Sequence, residues 1–392
     1  MRATLILFNI LESYHKASMM RYLYFLLLIS LSCSTTDNEI ITDDTIIITD
    51  DTIAEEPDDT GETSNLYFPP ITGDTWEVTS PSTLNWNLTA LQDLTDYVAE
   101  NNSKAFIILK DGKIVVENYY QDTDATTSHR WNSAAKTLTA YTVGIAQQEG
   151  YLSINDASSN YLGTGWTTMT PEQEAAVTIR NQLTMTSGGD YTVDDTNCSD
   201  PECLQYLNDA GAEWYYHNAF YTLLQDVVTA AVPGDFNTYY DNKLKSQTGM
   251  TGAWVPFGYF RLYFSTARSM ARFGLLTLNE GNWDGNQLIN PAYFTEMTTP
   301  SQDINEAYGY LWWLNGQDSY RLPGTTTTFT GKLIPTAPDD LIAGLGKDDQ
   351  KVYVLPSEGL VVIRLGDATE ESLLGPSGFD TDLWEKIMAV IN

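Results

Sequence analysis

Two pairs of short apolar runs, one near each end of the 392-residue chain, constrain its topology more tightly than any other feature. Phe106-Ile107-Ile108-Leu109 and Ile114-Val115-Val116 flank Asp111-Gly112-Lys113, the pattern of a β-hairpin closed by a D-G turn. Lys351-Val352-Tyr353-Val354 and Leu360-Val361-Val362-Ile363-Arg364 read as a second hairpin, and Leu383 to Ile391 as a closing helix. Before the first hairpin, Leu88, Leu91, Leu94 and Val98 recur at helical intervals and predict a helix over Leu84 to Ala99. Ser133 to Gln148 is a further helical pattern, ended by Gly150. From Leu152 to about Trp313 the chain reads as helices and loops rich in Trp and Tyr. The expected fold class is α/β in the α+β sense: one antiparallel sheet assembled from both termini and flanked by helices, with a mostly helical region inserted.

The first 65 residues have a different character. Arg21 precedes the apolar run Tyr22 to Leu31, which ends at Ser32-Cys33, the order of a secretory signal. The run is too short to span a bilayer, which takes about 20 residues. Met1 to Ser18 reads as an upstream extension of that leader. Between Ser34 and Thr63 stand eleven Asp or Glu and no Lys or Arg, with Thr-Asp-Asp-Thr-Ile repeated at residues 42–46 and 49–53, a self-repelling tether. The expected organisation is a leader over residues 1–33, an acidic tether over 34–65 and one catalytic domain over 66–392. With 20 basic against 52 acidic residues, the formal charge of -32 excludes nucleic acid and anionic lipid surfaces as natural partners. Cys198 and Cys203 flank Ser199-Asp200-Pro201-Glu202; outside the cytoplasm a disulfide is preferred to two free thiols, and the spacing suits no zinc site.

The chemistry concentrates in Ser133-Ala134-Ala135-Lys136. A serine hydroxyl is a weak nucleophile and needs a base within hydrogen-bond reach. S-x-x-K on a helix sets Lys136 one turn after Ser133 on the same face, provided that burial lowers the pKa of the amine. The motif alone is weak, because Ser13-Tyr14-His15-Lys16 repeats it in the leader. Trp131 before it and the apolar run after it, which can bury the helix, distinguish the second copy. Tyr216-His217-Asn218 offers a phenol to relay protons and an amide to hold a substrate carbonyl. Tyr240-Asp241-Asn242 repeats that spacing and reads as surface helix. The only histidines are His15, His129 and His217, and G-x-S-x-G is absent, which argues against a Ser-His-Asp triad. His129 reads as a solvent-satisfied loop residue and His217 as filler within Y-x-N. No H-E-x-x-H or comparable ligand set occurs, so neither metal nor other cofactor is expected. Of the aromatic residues that could wall a cleft, Tyr215 and Trp312 are expected near the site.

These residues together resemble the β-lactamase-related serine hydrolases: class C β-lactamases, penicillin-binding proteins, certain esterases and 6-aminohexanoate-dimer hydrolases. The resemblance rests on Ser133 to Lys136, Val177 to Gly188, Tyr216 to Asn218, Ser265 to Gly274 and Tyr308 to Trp313, in that order, and spans nearly all of Leu66 to Asn392. It implies a β-lactamase/transpeptidase-like fold, with Ser133 as nucleophile, Lys136 as general base and Tyr216 as proton relay. The family's third motif, often Lys-Thr-Gly or His-x-Gly, is replaced by Ile342-Ala343-Gly344-Leu345-Gly346. Aligned as A-x-G-x-x-x-Q with Gln350, it implies that Gly344 and Gly346 line the site and that the Lys347 N–H pairs with that of Ser133 as an oxyanion hole. Without a cation in that motif, strong binding of a substrate carboxylate is not implied. The leader likewise resembles a lipoprotein signal with Cys33 as the lipidated residue, which implies a cell-envelope protein touching the membrane only through that anchor. The expected substrate is a small-molecule ester or amide. The competing reading is a penicillin- or peptide-binding module that kept the fold without turnover.

Overall fold

The computed structural model describes residues 66–369 and 375–392. The leader, Cys33 and the acidic tether lie outside the described residues. Nine strands and five helices carry the description below. The strands are β1 (Ser103–Lys110), β2 (Lys113–Tyr119), β3 (His129–Arg130), β4 (Ala253–Phe257), β5 (Phe260–Ser265), β6 (Trp313–Leu314), β7 (Ile342–Gly346), β8 (Gln350–Leu355) and β9 (Leu360–Gly366). The helices are α1 (Leu88–Glu100), α2 (Lys136–Gln148), α3 (Leu224–Ala231), α4 (Ala267–Leu278) and α5 (Gly378–Ile391).

The main sheet is antiparallel, in the order β2-β1-β9-β8-β7-β6. Within it β1 pairs with β9, Ile107 opposite Ile363, so the two ends of the domain are hydrogen-bonded to each other as the two hairpins implied. Asp111 and Gly112 both take positive φ, 50° and 83°, the conformation of a two-residue hairpin turn. Every residue of β9 is buried. The cause is a helical layer on each face: Val361 lies under α4, whose Gly274 allows the close approach, while Arg364 and Tyr353 meet Phe379 and Trp384 of α5. A strand covered on both sides loses the in-and-out alternation and reads as a continuous apolar run.

Several boundaries differ from expectation for local reasons. The first helix starts at Leu88 because the Asn87 side chain accepts hydrogen bonds from the Thr89 and Ala90 N–H groups. Pro81–Leu84 forms a separate 3-10 turn. The closing helix starts at Gly378, where Ser377 and Asp380 form a capping box. The β4–β5 hairpin was not expected. Val255, Phe257 and Tyr259 are exposed apolar residues in and beside it and Pro256 interrupts it, which hides the strand pattern. It pairs through β5 with β3, so His129 is a buried strand residue rather than a solvated loop residue, and burial, the largest effect, lowers its pKa. Tyr240 is likewise no surface residue: it is fully buried against Phe236, Trp254 and Tyr263. Among the described residues, no helix is long and apolar enough to cross a membrane.

A buried ionic cluster joins the sheet to α5. Lys351 on β8 places Nζ 2.9 Å from Asp380 Oδ2 and 3.2 Å from Asp349 Oδ1, with the Lys351 and Asp380 side chains fully buried. The Tyr353 hydroxyl donates to the other Asp380 oxygen.

Candidate active site

Ser133 sits on a 3-10 turn, Asn132–Ala135, that leads directly into α2. The expected helix therefore begins as a tighter turn. Its geometry is fixed from three sides. The Trp131 N–H donates to Tyr263 O at 2.9 Å and its indole N–H to Ser265 Oγ at 2.8 Å, tying the turn to β5. Asn132 adopts φ 49° and donates from Nδ2 to Lys347 O at 2.7 Å, tying it to the end of β7. Beyond the turn, Lys136 to Ala146 are all buried, so the helix is held along its whole apolar length.

The Lys136 amine lies 3.1 Å from Ser133 Oγ. It is also 4.2 Å from the ring centre of Tyr221 and 5.0 Å from that of Tyr216. Aromatic faces favour the ammonium form, but the residue is 5% exposed, and desolvation brings its pKa down to about 7. Tyr216 is buried, stacked on Trp313 and edge-on to Tyr308. Burial pushes its phenol well above the usual range, with a hydrogen bond to Ser133 opposing the shift. Serine, lysine and tyrosine thus meet at one point; Ser133 and Lys136 line a cavity of about 250 Å³, which Tyr216 does not line.

Asn218, Thr222 and Gln225 line one wall of that cavity at four- and three-residue spacing, and Tyr221 joins them. Asn218 donates from Nδ2 to Asn197 Oδ1 at 3.0 Å, and Asn197 also lines the cavity. Asn197 immediately precedes Cys198, which forms the expected disulfide with Cys203, S–S 2.01 Å. Phe260, Arg261 and Leu262 of the β4–β5 hairpin line the cavity too, with Asn132 and Lys347 completing it. The sequence reading missed Asn132, Asn197, Tyr221, Thr222, Gln225 and the hairpin residues. The helical spacing from Asn218 onward was the signal for Thr222 and Gln225; nothing local marked the hairpin.

Other expected site residues have different surroundings. Trp312 does not line the cavity: it is fully buried and stacks on Phe273, while its neighbour Trp313 backs Tyr216. Tyr215 does not line it either, and its ring stacks on Tyr191 at 4.2 Å. His217 is buried with Nε2 3.3 Å from Asp190 O, and burial lowers its pKa to about 4. Gly344 and Gly346 face the nucleophile turn rather than the cavity. A Cβ on Gly346 would stand 2.4 Å from Trp131 O and 3.0 Å from Ala134 N, and one on Gly344 would stand 2.8 Å from Val352 Cγ1 and 3.2 Å from Thr137 Cγ2. Gln350 holds the β7–β8 turn, its Nε2 donating to Asp348 O and Gly366 O at 2.7 Å each. Gly346→Ala is therefore expected to push Ser133 away from Lys347. The expected loss in kcat/KM is about 10²-fold, measured with an aryl ester beside a thermal melt to separate misplacement from unfolding.

The arrangement can deliver a neutral amine to a serine hydroxyl, with a phenol on the same oxygen. Among the described residues, no cluster of three or more His, Cys, Asp or Glu could hold a metal ion. Comparison of folds finds several solved structures of similar architecture. A penicillin-binding protein homologue from Caulobacter crescentus superposes with a TM-score of 0.59 at 14% identity, covering 81% of this chain and 100% of that one. A class C beta-lactamase gives 0.58 at 16% identity, covering 79% and 98%. A Bacillus anthracis protein provisionally assigned as a 6-aminohexanoate-dimer hydrolase gives 0.61 at 15% identity, covering 82% and 88%. At these identities the likeness is one of fold. A search of curated proteins finds no significant match. The sequence profile of the beta-lactamase family matches residues 94–367, a span that includes every residue of the cavity and all six strands of the main sheet. The chain belongs to the beta-lactamase family.

Proposed function

We propose that this protein is a serine hydrolase that cleaves an ester or amide through an acyl-enzyme on Ser133. The observation that carries this reading is the Lys136 amine, 3.1 Å from Ser133 Oγ and desolvated to a pKa of about 7. A base poised near the working pH gives the best product of available free base and proton affinity. Neutral Lys136 takes the Ser133 proton as Oγ attacks the substrate carbonyl. Backbone N–H groups of Ser133 and Lys347 stabilise the oxyanion, which the Asn132 bond to Lys347 O keeps in register. Tyr216, held protonated by burial, passes its proton to the leaving group and takes up the one that Lys136 accepted, so the alcohol or amine departs and the Lys136 amine is neutral again. Water then attacks the acyl-enzyme with the same base, releasing the acid and restoring Ser133.

A fluorophosphonate probe tests the assignment. Stoichiometric labelling of the wild type and none of Ser133→Ala is expected; equal labelling of both would remove Ser133 from the mechanism. Absence of both labelling and turnover with esters, amides and β-lactams would favour a binding module on the same fold.

A further inference from the structure

The third motif supplies no Lys or His to meet a substrate anion, yet the cavity is not neutral. Of its twelve lining residues, Lys136, Arg261 and Lys347 are basic and none is acidic. That is the reverse of the chain, where acidic residues outnumber basic ones by 52 to 20. Since Lys136 must be neutral to act as base, the remaining cations are Lys347, exposed at the rim, and Arg261.

Arg261 is positioned by structure rather than left to solvent. It lies on β5, the strand that also fixes the nucleophile turn through Tyr263 and Ser265. Its Nη1 donates to Gln225 Oε1 at 3.3 Å and its Nη2 to Asp226 Oδ1 at 2.8 Å, both at the start of α3. A guanidinium carries five N–H donors, so these two contacts orient the fork without exhausting it. Asp226 is 41% exposed, so this is a weak, partly solvated ion pair, and a substrate carboxylate can share the guanidinium with it. Burial raises the pKa of the neighbouring Tyr221 phenol, with the Thr139 hydrogen bond and the Arg261 charge acting in the opposite direction. Phe260 and Leu262, on either side, supply apolar contact for the chain between an anion and the scissile carbonyl.

We propose that Arg261 is the specificity-determining residue of this site and selects ester or amide substrates that carry a carboxylate. The inference rests on the serine hydrolase reading above. The cation therefore enters from the inserted hairpin instead of from the third motif, and the apolar flanks favour a short aliphatic link to the carboxylate.

Ester pairs matched in length test this, with the carboxylate tried on each side of the scissile bond. Mono-p-nitrophenyl glutarate is compared with p-nitrophenyl valerate, and 3-carboxy-4-nitrophenyl butyrate with p-nitrophenyl butyrate, each rate divided by its hydroxide-catalysed rate. The wild type is expected to prefer the carboxylated member of at least one pair by about ten- to a hundred-fold in kcat/KM, the range of a charge-assisted hydrogen bond. The preference is expected to shrink at 0.5 M salt as screening predicts, to collapse in Arg261→Gln and to recover in part in Arg261→Lys. Equal turnover of both members in both pairs by the wild type, or a preference that survives in Arg261→Gln, overturns the inference and leaves the hydrolase standing. If Arg261→Gln does not fold, the wild-type ratio and its salt dependence decide. Loss of all ester turnover together with loss of Ser133 labelling would instead reject the hydrolase reading, and this inference with it.

Discussion

Lys136→Met is expected to lower kcat/KM for an activated ester by about 10²- to 10⁴-fold, the range of a general base, and at the same time to raise thermal stability at neutral pH. Both effects have one origin. The amine is 5% exposed and has no carboxylate partner among the described residues, so burial depresses its pKa from 10.5 to about 7. Between those two pH values the unfolded chain holds a proton that the folded chain lacks, so the stability of the wild type rises with pH across that window. Below about pH 7 the folded state carries a buried ammonium and the penalty is complete. Methionine of similar length removes it, and the gain should be on the order of a few kcal/mol at pH 6, shrinking toward pH 10. Wild-type kcat/KM should fall about tenfold per unit below pH 7 and level off above it, as base catalysis by a group with that pKa requires. Melting curves and rates across pH 5.5 to 10 check both arms. A variant that loses activity and stability together would assign Lys136 a packing role instead.

The second large effect concerns the fold. Asp380→Asn is expected to destabilise the protein by about 3–5 kcal/mol, the cost of breaking a buried ion pair by removing one partner. Lys351 would keep its charge in a fully buried position, with Asp349 as its one remaining carboxylate among the described residues. Asp380 also accepts from the Ser377 N–H at 2.6 Å, so the start of α5 loosens too. Lys351→Met in the Asp380→Asn background should recover part of the loss, because the buried charge is gone; strictly additive losses would show that the pair is not coupled. Asp349 adds an acid limit. Burial acts to raise its pKa, but Lys351, Thr369 and Ser377 together leave it below the ordinary value. A depressed carboxyl stabilises the fold above its unfolded pKa, and that contribution disappears as pH falls through the folded one.

The frame of the fold was written in local patterns. The Asp111-Gly112 turn, the two hairpins and the closing helix are each set by residues adjacent in sequence, and the meeting of β1 with β9 follows from having hairpins at both ends. Ser133, Lys136 and Tyr216 were legible for a similar reason, since one helical turn fixes the first pair and an ordered set of motifs the third. What stayed hidden depends on contacts distant in sequence. The β4–β5 hairpin is held by β3, more than a hundred residues earlier in the chain, and exposes side chains that a strand pattern would bury. Arg261 could not be seen as a cavity residue without it. Trp312 and Trp313 differ by one position at the start of β6, yet they pack on different neighbours: Trp312 on Phe273 of α4, Trp313 on Tyr216. Gly344 and Gly346 were found for the right strand and the wrong reason. They let the strand lie against the nucleophile turn, and their lack of a side chain serves that approach rather than substrate contact.

The central claim is that Ser133 becomes acylated during turnover. Rapid-quench intact-mass analysis with an ester that deacylates slowly tests it most directly. A single acyl increment that maps to the peptide containing Ser133, forms faster as pH rises through 7, and is absent in Ser133→Ala is the predicted result. An adduct on any other residue, or undiminished turnover by Ser133→Ala, would contradict it.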